Sequence, residues 1–330
     1  MYTYGADMTN AVFEFLNRHS SLIFTTHDAA DADGLGAERV LYYIANSMGK
    51  QVRIINSNPV PINFRFMDPG NSIEIWDNVQ ELIPLGAALV ILDTSDEYYI
   101  GKLREFIPHA KEVFVIDHHE PNPFCTFNGY IDPTASSTSE MVVELAKATR
   151  LTLPVDYAVA AYAGIAYDTG FFAYPKTTSR TFKAALDLVD TGINPNKIYR
   201  ELNESSSTGA IMLQKMILST LEIHNHGRVA VQVLKKEDLE KCGANYEDAE
   251  NLINVPMKSR EIEVSILIKE NREGEIRCSL RSKGNVNVSK IAQTMGGGGH
   301  ATAAGFKSSR DIGETLAAVL SKVSEKLDAK

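Results

Sequence analysis

The chain has 330 residues, of which 44% are hydrophobic and 23% are charged, and its formal net charge is −9. This composition is typical of a globular protein with enough apolar material for two domains. The acidic balance argues against long nucleic acid as a partner, since proteins that hold it usually present a strongly basic face.

The negative charge lies in the first part of the chain. Residues 205–330 carry a net charge of +2, so residues 1–204 carry −11. An acidic region repels an anionic substrate unless cations are bound there first. We therefore expect any site for an anion in residues 1–204 to depend on metal ions.

Neither the apolar segments nor the cysteines indicate a membrane or an oxidising compartment. The longest apolar stretch near the middle, Ala87–Leu92, has only the length of a strand, and the N-terminal MYTYGADMTN does not resemble a secretory signal. Cys125, Cys242 and Cys278 are far apart and form no CxxC pair, so we interpret them as small buried side chains. We expect a cytoplasmic protein with no membrane partner.

Up to about residue 190, predicted strands alternate with predicted helices. The strands are Ser21–Thr26, Gln51–Asn56, Ala87–Leu92 and Glu112–Ile116, and the helices are Leu35–Met48, Ser139–Thr149, Tyr157–Tyr167 and Ser179–Asp190. Such alternation predicts an α/β fold with a doubly wound, mostly parallel sheet. Ligands of these sheets bind beyond the carboxyl ends of the strands.

The pattern changes after Gly192. Asn194-Pro195 is typical of a helix start, and the helical stretch Lys197–Leu221 is interrupted at residues 205–207. Later elements are a strand over Val229–Leu234, a hairpin of Glu263–Lys269 with Glu275–Arg281, and helices over Val288–Met295 and Ile312–Leu327. We predict a first domain over 1–192, a helical connector over 193–221 and a smaller α/β domain over 222–330.

Histidines and aspartates follow three of the predicted strands and end one predicted helix. They are His27, Asp31 and Asp33 after the first strand, Asp93 after Ala87–Leu92, Asp117-His118-His119 after the next strand, and Asp168 at the helix end. Taken singly, each has a structural alternative as a helix cap, a turn or a loop residue. Together, they would meet at one rim of the sheet.

Crowded carboxylates raise one another's pKa values, and two divalent cations would relieve that repulsion. Carboxylates assisted by imidazoles suit Mn²⁺ or Mg²⁺, with Co²⁺ as a further candidate, better than they suit structural zinc. Such a pair of metals could activate water and clamp phosphoryl oxygens during an in-line attack.

Four successive glycines, Gly296–Gly299, precede His300. Because such a run is costly in backbone entropy, we interpret it as a nest of N–H groups for an anion, with a flexible linker as the alternative.

With these blocks in this order, the chain resembles the DHH phosphoesterases, named for the triplet that stands here as Asp117-His118-His119. GGGGH at 296–300, AAG at 303–305 and Ser279-Leu280-Arg281-Ser282 are similar to the glycine-rich C-terminal substrate domain of one branch of that family. The resemblance covers about residues 10–325. Residues 31–36 read DADGLG, which is closer to the RecJ-type branch than to the DGDA form of small nanoRNases.

The resemblance implies a role for each matching residue. One metal would be held by His27, Asp31 and Asp93, and the other by Asp33, Asp93, His118 and Asp168. Asp117 would orient a ligand and His119 would meet the substrate phosphate, so that Asp93, Asp117, His118 and His119 form the catalytic set. Arg281, Gly297, Gly298, Gly299 and His300 would bind the nucleotide.

The favoured function is hydrolysis of RNA fragments of a few nucleotides, with removal of the 3′-phosphate of pAp as a further activity. The alternative within the family is a cyclic di-AMP or pApA phosphodiesterase. A RecJ-type exonuclease for long single strands is disfavoured by the lack of a basic channel and an extra domain. An alternative from another functional class is a nucleotide-binding regulator that has no catalytic activity. The sequence leaves open whether the chain forms a homodimer.

Overall fold

A computed structural model of the chain describes residues 6–84, 86–120, 122 and 124–328. The chain divides into two compact units, Met1–Ser205 and Ser206–Lys330. This division falls within residues 193–221, the range predicted as a connector. Within the described ranges, the helices are too short or too polar to cross a membrane.

Unit 1 contains helices and strands in the alternation that the sequence predicts. Its elements are α1 (Ala6–Arg18), β1 (Ser21–Thr25), α2 (Ala32–Ser47), β2 (Gln51–Asn56), β3 (Ile73–Ile75), α3 (Trp76–Val79), β4 (Ala88–Leu92), β5 (Val113–Asp117), β6 (Asn128–Ile131), α4 (Thr138–Ala148), α5 (Val155–Asp168), α6 (Ser179–Val189) and α7 (Pro195–Asn203). Segments of 3₁₀ helix lie at Ile62–Met67, Gln80–Leu82 and Glu97–His109, the last of which is interrupted at Gly101.

The six strands of unit 1 form one sheet in the order β3-β2-β1-β4-β5-β6, and every pair is parallel. The predicted doubly wound parallel sheet is therefore confirmed. Because β1, β4 and β5 are neighbours, the segments that follow their carboxyl ends lie at the same edge. Those segments carry His27, Asp93 and His118.

Alternate residues of the strands pack on opposite faces of the sheet. In β1, Phe24 joins the large core under the helices, whereas Ile23 joins a second core that the segment Glu97–His109 covers. On the helical face α2 lies so close to α5 that a Cβ at Gly36 would stand 2.6 Å from the Ala160 carbonyl oxygen. This close packing fixes the helix that carries Asp33.

The sequence patterns placed the start of α2 too late in the chain. α2 begins at Ala32, not Leu35, because the Asp31 carboxylate caps it by accepting from the backbone N–H groups of Asp33 and Gly34. α1, β3 and β6 were missed by the sequence patterns. β3 and β6 are only three and four residues long and lie at the two edges of the sheet.

Unit 2 is a smaller α/β unit around a second sheet. Its elements are α8 (Thr208–Ser219), β7 (Glu222–His224), β8 (Val229–Leu234), α9 (Lys236–Cys242), β9 (Val264–Glu270), β10 (Ile276–Ser282), α10 (Val288–Thr294), β11 (Gly298–Gly299), β12 (Ala303–Ser308) and α11 (Ile312–Asp328). The strand order is β11-β12-β10-β9-β8-β7. β8 and β9 are parallel, and the other pairs are antiparallel, including the predicted hairpin of β9 and β10.

A buried glutamate on α2 makes the stability of unit 1 dependent on pH. Glu38 is fully buried, and its Oε2 accepts a hydrogen bond from the Asn56 side chain at 3.0 Å. Burial raises the pKa of Glu38 to about 8. Because the folded chain holds this proton more tightly than the unfolded chain, the contribution is complete below the unfolded value of 4.5 and is lost as the pH rises towards 8.

We predict that Glu38→Gln flattens this dependence. In the metal-free protein, Glu38 should contribute a loss of stability of up to roughly 1.4 kcal/mol per pH unit between pH 5 and pH 8. This loss adds to those from other groups with raised pKa values, and the variant should lack the Glu38 part alone. Urea unfolding across this range measures the effect. Glu105→Gln, at an exposed position, is the matched control and should behave as the parent does. Parallel pH profiles for Glu38→Gln and the parent would contradict the assignment.

Candidate metal centre

Three His and Asp groups meet beyond the carboxyl ends of β1, β4 and β5. In the first, His27 Nε2 lies 3.6 Å from Asp31 Oδ1 and 3.6 Å from Asp93 Oδ2. His27 follows β1 after one residue, Asp31 caps α2, and Asp93 directly follows β4. The end of a strand and the start of the next helix thus bring these side chains together.

The second group is centred on His118, which follows β5. It contains Asp33, His118 and Asp168, and His118 Nε2 lies 3.7 Å from Asp33 Oδ2 and 3.2 Å from Asp168 Oδ2. A third group contains Asp93, His118 and His119, and Asp93 Oδ1 lies 3.5 Å from His118 Nε2 and 3.8 Å from His119 Nδ1. Asp93 therefore belongs to two of the three groups, as does His118.

These separations suit atoms that share a cation. Two ligand atoms at about 2.1 Å from one ion, as for Mg²⁺ or Zn²⁺, lie about 3.0–3.4 Å apart at octahedral or tetrahedral angles. Most of the observed distances, 3.5–3.8 Å, are slightly longer than this and too long for good hydrogen bonds. Both ring nitrogens of His118 are buried and have no hydrogen-bond partner, although carboxylate oxygens surround Nε2. Carboxylates, imidazoles and an imidazole nitrogen without a partner fit divalent cations.

Burial and crowding raise the pKa values of two carboxyl groups in the site. Burial, followed by the charge of Asp33, raises the pKa of Asp93 well above its usual value. Burial, followed by the charges of Asp33 and Asp31, raises the pKa of Asp168 to about 8. Protons and cations therefore compete for these oxygens.

The pKa is raised at two of the three histidines and lowered at the third. Burial opposes protonation of all three, and at His118 it lowers the pKa despite the charge of Asp33. At His27 the burial effect is outweighed by Asp31 and Asp93, which raise the pKa to about 10. At His119 it is outweighed chiefly by Asp117, and the pKa rises to about 9.

Asp117 acts on His119 through two hydrogen bonds. Its Oδ1 accepts from the backbone N–H of His119 at 3.1 Å and contacts His119 Nδ1 at 2.8 Å. Asp117 is fully buried, whereas more than half of the His119 side chain is exposed. The buried carboxylate thus orients an exposed imidazole at the edge of the site.

The sequence patterns missed the first turn of α4. The backbone N–H groups of Thr138 and Ser139 donate to the two oxygens of Asp33 at 2.6 and 2.8 Å, and the Thr138 hydroxyl donates to Asp93 Oδ1 at 2.9 Å. A signal was present in Ser137 and Glu140, since serine followed three residues later by glutamate is typical of a helix N-terminus. The predicted start at Ser139 left Thr138 outside the helix.

The predicted substrate residues lie in unit 2. Arg281 is half-buried on β10 and pairs in register with Ala303 of β12, and His300 is exposed in the turn that leads into β12. The backbone N–H of Gly297 donates to the Ala292 carbonyl at 2.9 Å, and Gly298 and Gly299 pair with β12. A Cβ at Gly297 would lie 2.2 Å from the Gly305 oxygen. Close strand packing thus requires this glycine, and an anion nest here stays a prediction.

The order of these features matches a known family. The model of the DHH family, N-terminal domain, matches residues 21–165, and the model of the DHHA1 domain matches residues 226–329. The chain therefore contains a DHH domain followed by a DHHA1 domain. The first match contains five of the six aspartates and histidines predicted as metal ligands, and Asp168 lies three residues beyond it.

Relatives of this DHH chain cover it almost end to end. The "Bifunctional oligoribonuclease and PAP phosphatase NrnA" of Thermus thermophilus is 28% identical over 307 residues, which are 93% of this chain and 90% of the relative. The "Cyclic-di-AMP phosphodiesterase GdpP" of Geobacillus thermodenitrificans is 27% identical over 93% of this chain but only 48% of its own length. An exopolyphosphatase-related protein from Bacteroides fragilis has a crystal structure with a TM-score of 0.89, 25% identity and coverage of 98% and 96% of the two chains.

We predict that Mn²⁺ raises the melting temperature of the protein. Ligands of the folded state add roughly 2.7 kcal/mol of stability at a hundredfold excess over their dissociation constant. The double variant Asp31→Asn, Asp33→Asn should lose most of this gain, since asparagine can still cap α2 but is a poor metal ligand. Thermal melts with and without millimolar Mn²⁺ measure it.

The matched control is Asp96→Asn, which removes a carboxylate that caps the segment Glu97–His109 and lies outside the three groups. It should keep the full gain from Mn²⁺. A parent melting curve that does not respond to Mn²⁺ would argue against the metal centre.

Proposed function

We propose that this chain is a two-metal phosphoesterase that hydrolyses short oligoribonucleotides and also removes the 3′-phosphate of pAp. The observation that carries the proposal is the sharing of Asp93 and His118 among three His and Asp groups at one edge of the sheet. A relative that covers most of the chain is named for both activities. The protein would act in the cytoplasm on short RNA or small nucleotides.

The residues that would hold the metals are those of the first two groups, with Asp93 also serving the second. His27, Asp31 and Asp93 would hold one ion, and Asp33, Asp93, His118 and Asp168 the other, with Asp93 bridging them. When bound, two such ions activate water near neutral pH and neutralise the phosphoryl oxygens. Manganese is our preferred ion, because the donors are oxygen and imidazole nitrogen without a thiolate.

The chain's own residues then bind and orient the substrate. Although burial opposes it, the Asp117 carboxylate raises the pKa of His119 to about 9 in the metal-free protein, which favours the protonated imidazole at neutral pH. An exposed imidazolium beside the metal groups can donate a hydrogen bond to a phosphate oxygen. From unit 2, Arg281 and His300, together with the backbone of Gly297–Gly299, would bind the nucleotide.

The second candidate is a cyclic di-AMP or pApA phosphodiesterase. The observation that favours it is the 27% identity to a cyclic-di-AMP phosphodiesterase over 93% of this chain. The same metal site would serve either substrate, so the two functions differ in what the substrate-binding residues accept. An inactive nucleotide-binding regulator is disfavoured, because all six proposed ligands are present and brought together.

A side-by-side turnover panel tests the proposal. With Mn²⁺ we expect mononucleotide release from RNA of two to five nucleotides and phosphate release from pAp, and slower turnover of cyclic di-AMP and pApA. Asp93→Asn should abolish all of these activities, whereas Asp96→Asn should keep them. Rapid turnover of cyclic di-AMP without cleavage of short RNA would favour the second candidate. No turnover of any compound would contradict both.

The proposal assigns the metal ligands to unit 1 and the nucleotide-binding residues to unit 2, which gives a further prediction. Arg281→Ala and His300→Ala should keep the parent's metal content but lose most of kcat/KM on nucleotides, since these residues cannot activate water. Hydrolysis of bis(p-nitrophenyl) phosphate, which has no nucleoside to bind, should fall much less. Arg277→Ala is the matched control, because Arg277 lies on the same face of β10 and is exposed. An equal loss on both substrates would place Arg281 and His300 in the chemistry.

A further inference from the structure

One buried threonine contacts two carboxylates of the metal centre. Thr138 is 0% exposed, its hydroxyl donates to Asp93 Oδ1, and its backbone N–H donates to Asp33 Oδ2. The hydroxyl is not needed to begin α4, because Ser137 is the N-cap and accepts from the Glu140 backbone N–H. The side chain of Thr138 is therefore available to act on Asp93.

Asp93 serves two groups through its two carboxylate oxygens. Its Oδ2 faces His27, while its Oδ1 faces His118 and His119. The residue has a φ of +64°, in the left-handed region that non-glycine residues seldom adopt. Rotation of the carboxylate would withdraw an oxygen from one group or the other. A fixed donor to Oδ1 selects the orientation that serves both.

The donor itself is held in place by the first turn of α4. Glu140 accepts from the Ser136 hydroxyl at 2.6 Å, and its other oxygen lies 3.1 Å from the Arg180 guanidinium. Arg180 also pairs with Asp132 and with Glu144, each at 2.6 Å. This network joins α4 to α6 and to the loop that follows β6, so the Thr138 hydroxyl cannot easily move away from Asp93.

We propose that Thr138 is a positioning residue that sets metal affinity by orienting the bridging carboxylate of Asp93. The inference rests on the metal centre of the proposed function and concerns a residue that would touch neither metal nor substrate. Loss of a hydrogen bond that supports a metal ligand typically costs about 10–100-fold in affinity or activity. We expect an effect of that size from removal of the hydroxyl alone.

The test compares Thr138→Val with Thr138→Ser. Valine has nearly the shape of threonine and keeps the backbone N–H that binds Asp33, whereas serine keeps the hydroxyl. Mn²⁺ binding to metal-stripped protein, measured by calorimetry, should weaken about 10–100-fold in Thr138→Val and stay close to the parent in Thr138→Ser. At saturating Mn²⁺ the KM for pAp should be unchanged in both variants.

Melting curves in EDTA show whether the variants fold, and Thr138→Ala supplies a second variant without the hydroxyl if valine is not accommodated. Parent-like Mn²⁺ affinity in Thr138→Val or Thr138→Ala would overturn the inference, as would an equal loss in Thr138→Ser. A parent protein that binds no Mn²⁺ would overturn it together with the metal centre. A parent that binds Mn²⁺ but hydrolyses no nucleotide would refute the proposed function alone, because the affinity comparison needs no substrate.

Discussion

Mutual repulsion among buried carboxylates is the constraint on which unit 1 depends. Asp31, Asp33, Asp93 and Asp168 converge on two histidines at one edge of the sheet, and burial adds to the cost of their charges. The fold meets part of that cost with α4 backbone N–H groups on Asp33 and with α2 backbone N–H groups on Asp31. The remainder is what divalent cations would neutralise, which links the stability of the unit to its chemistry.

Asp93 connects this electrostatic constraint to the topology. β4 lies between β1 and β5, so the residue that follows it stands between His27 and His118. A strained backbone at Asp93 and a hydrogen bond from Thr138 fix its carboxylate there. Strain of this kind persists only where the surrounding structure holds it, and it often marks functional sites. The same position on an edge strand could not serve two groups.

Much of this arrangement could be predicted from the sequence, because the strand pattern predicts both a parallel sheet and the residues that end its strands. Apolar strands such as Ala88–Leu92 end at charged residues, and parallel strands bring their carboxyl ends to one edge, so the convergence of His27, Asp93 and His118 follows from the pattern. The contact of Thr138 with Asp93 does not follow, because 45 residues separate them and only the packing of α4 brings them together. The short strands β3 and β6 carry too few residues for a periodic signal. The glycine run was interpreted as an anion-binding nest, with a flexible linker as the alternative. The pairing of Gly298–Gly299 with β12 was not predicted, because it depends on a strand that follows in the sequence.

Anomalous diffraction from crystals grown with Mn²⁺ would test the central claim most directly, because it locates each ion independently of activity. The account predicts two manganese peaks about 3.5–4 Å apart, one beside His27 and Asp31, the other beside Asp33, His118 and Asp168, and both within bonding distance of Asp93. A single peak, or two peaks of which only one touches Asp93, would contradict it.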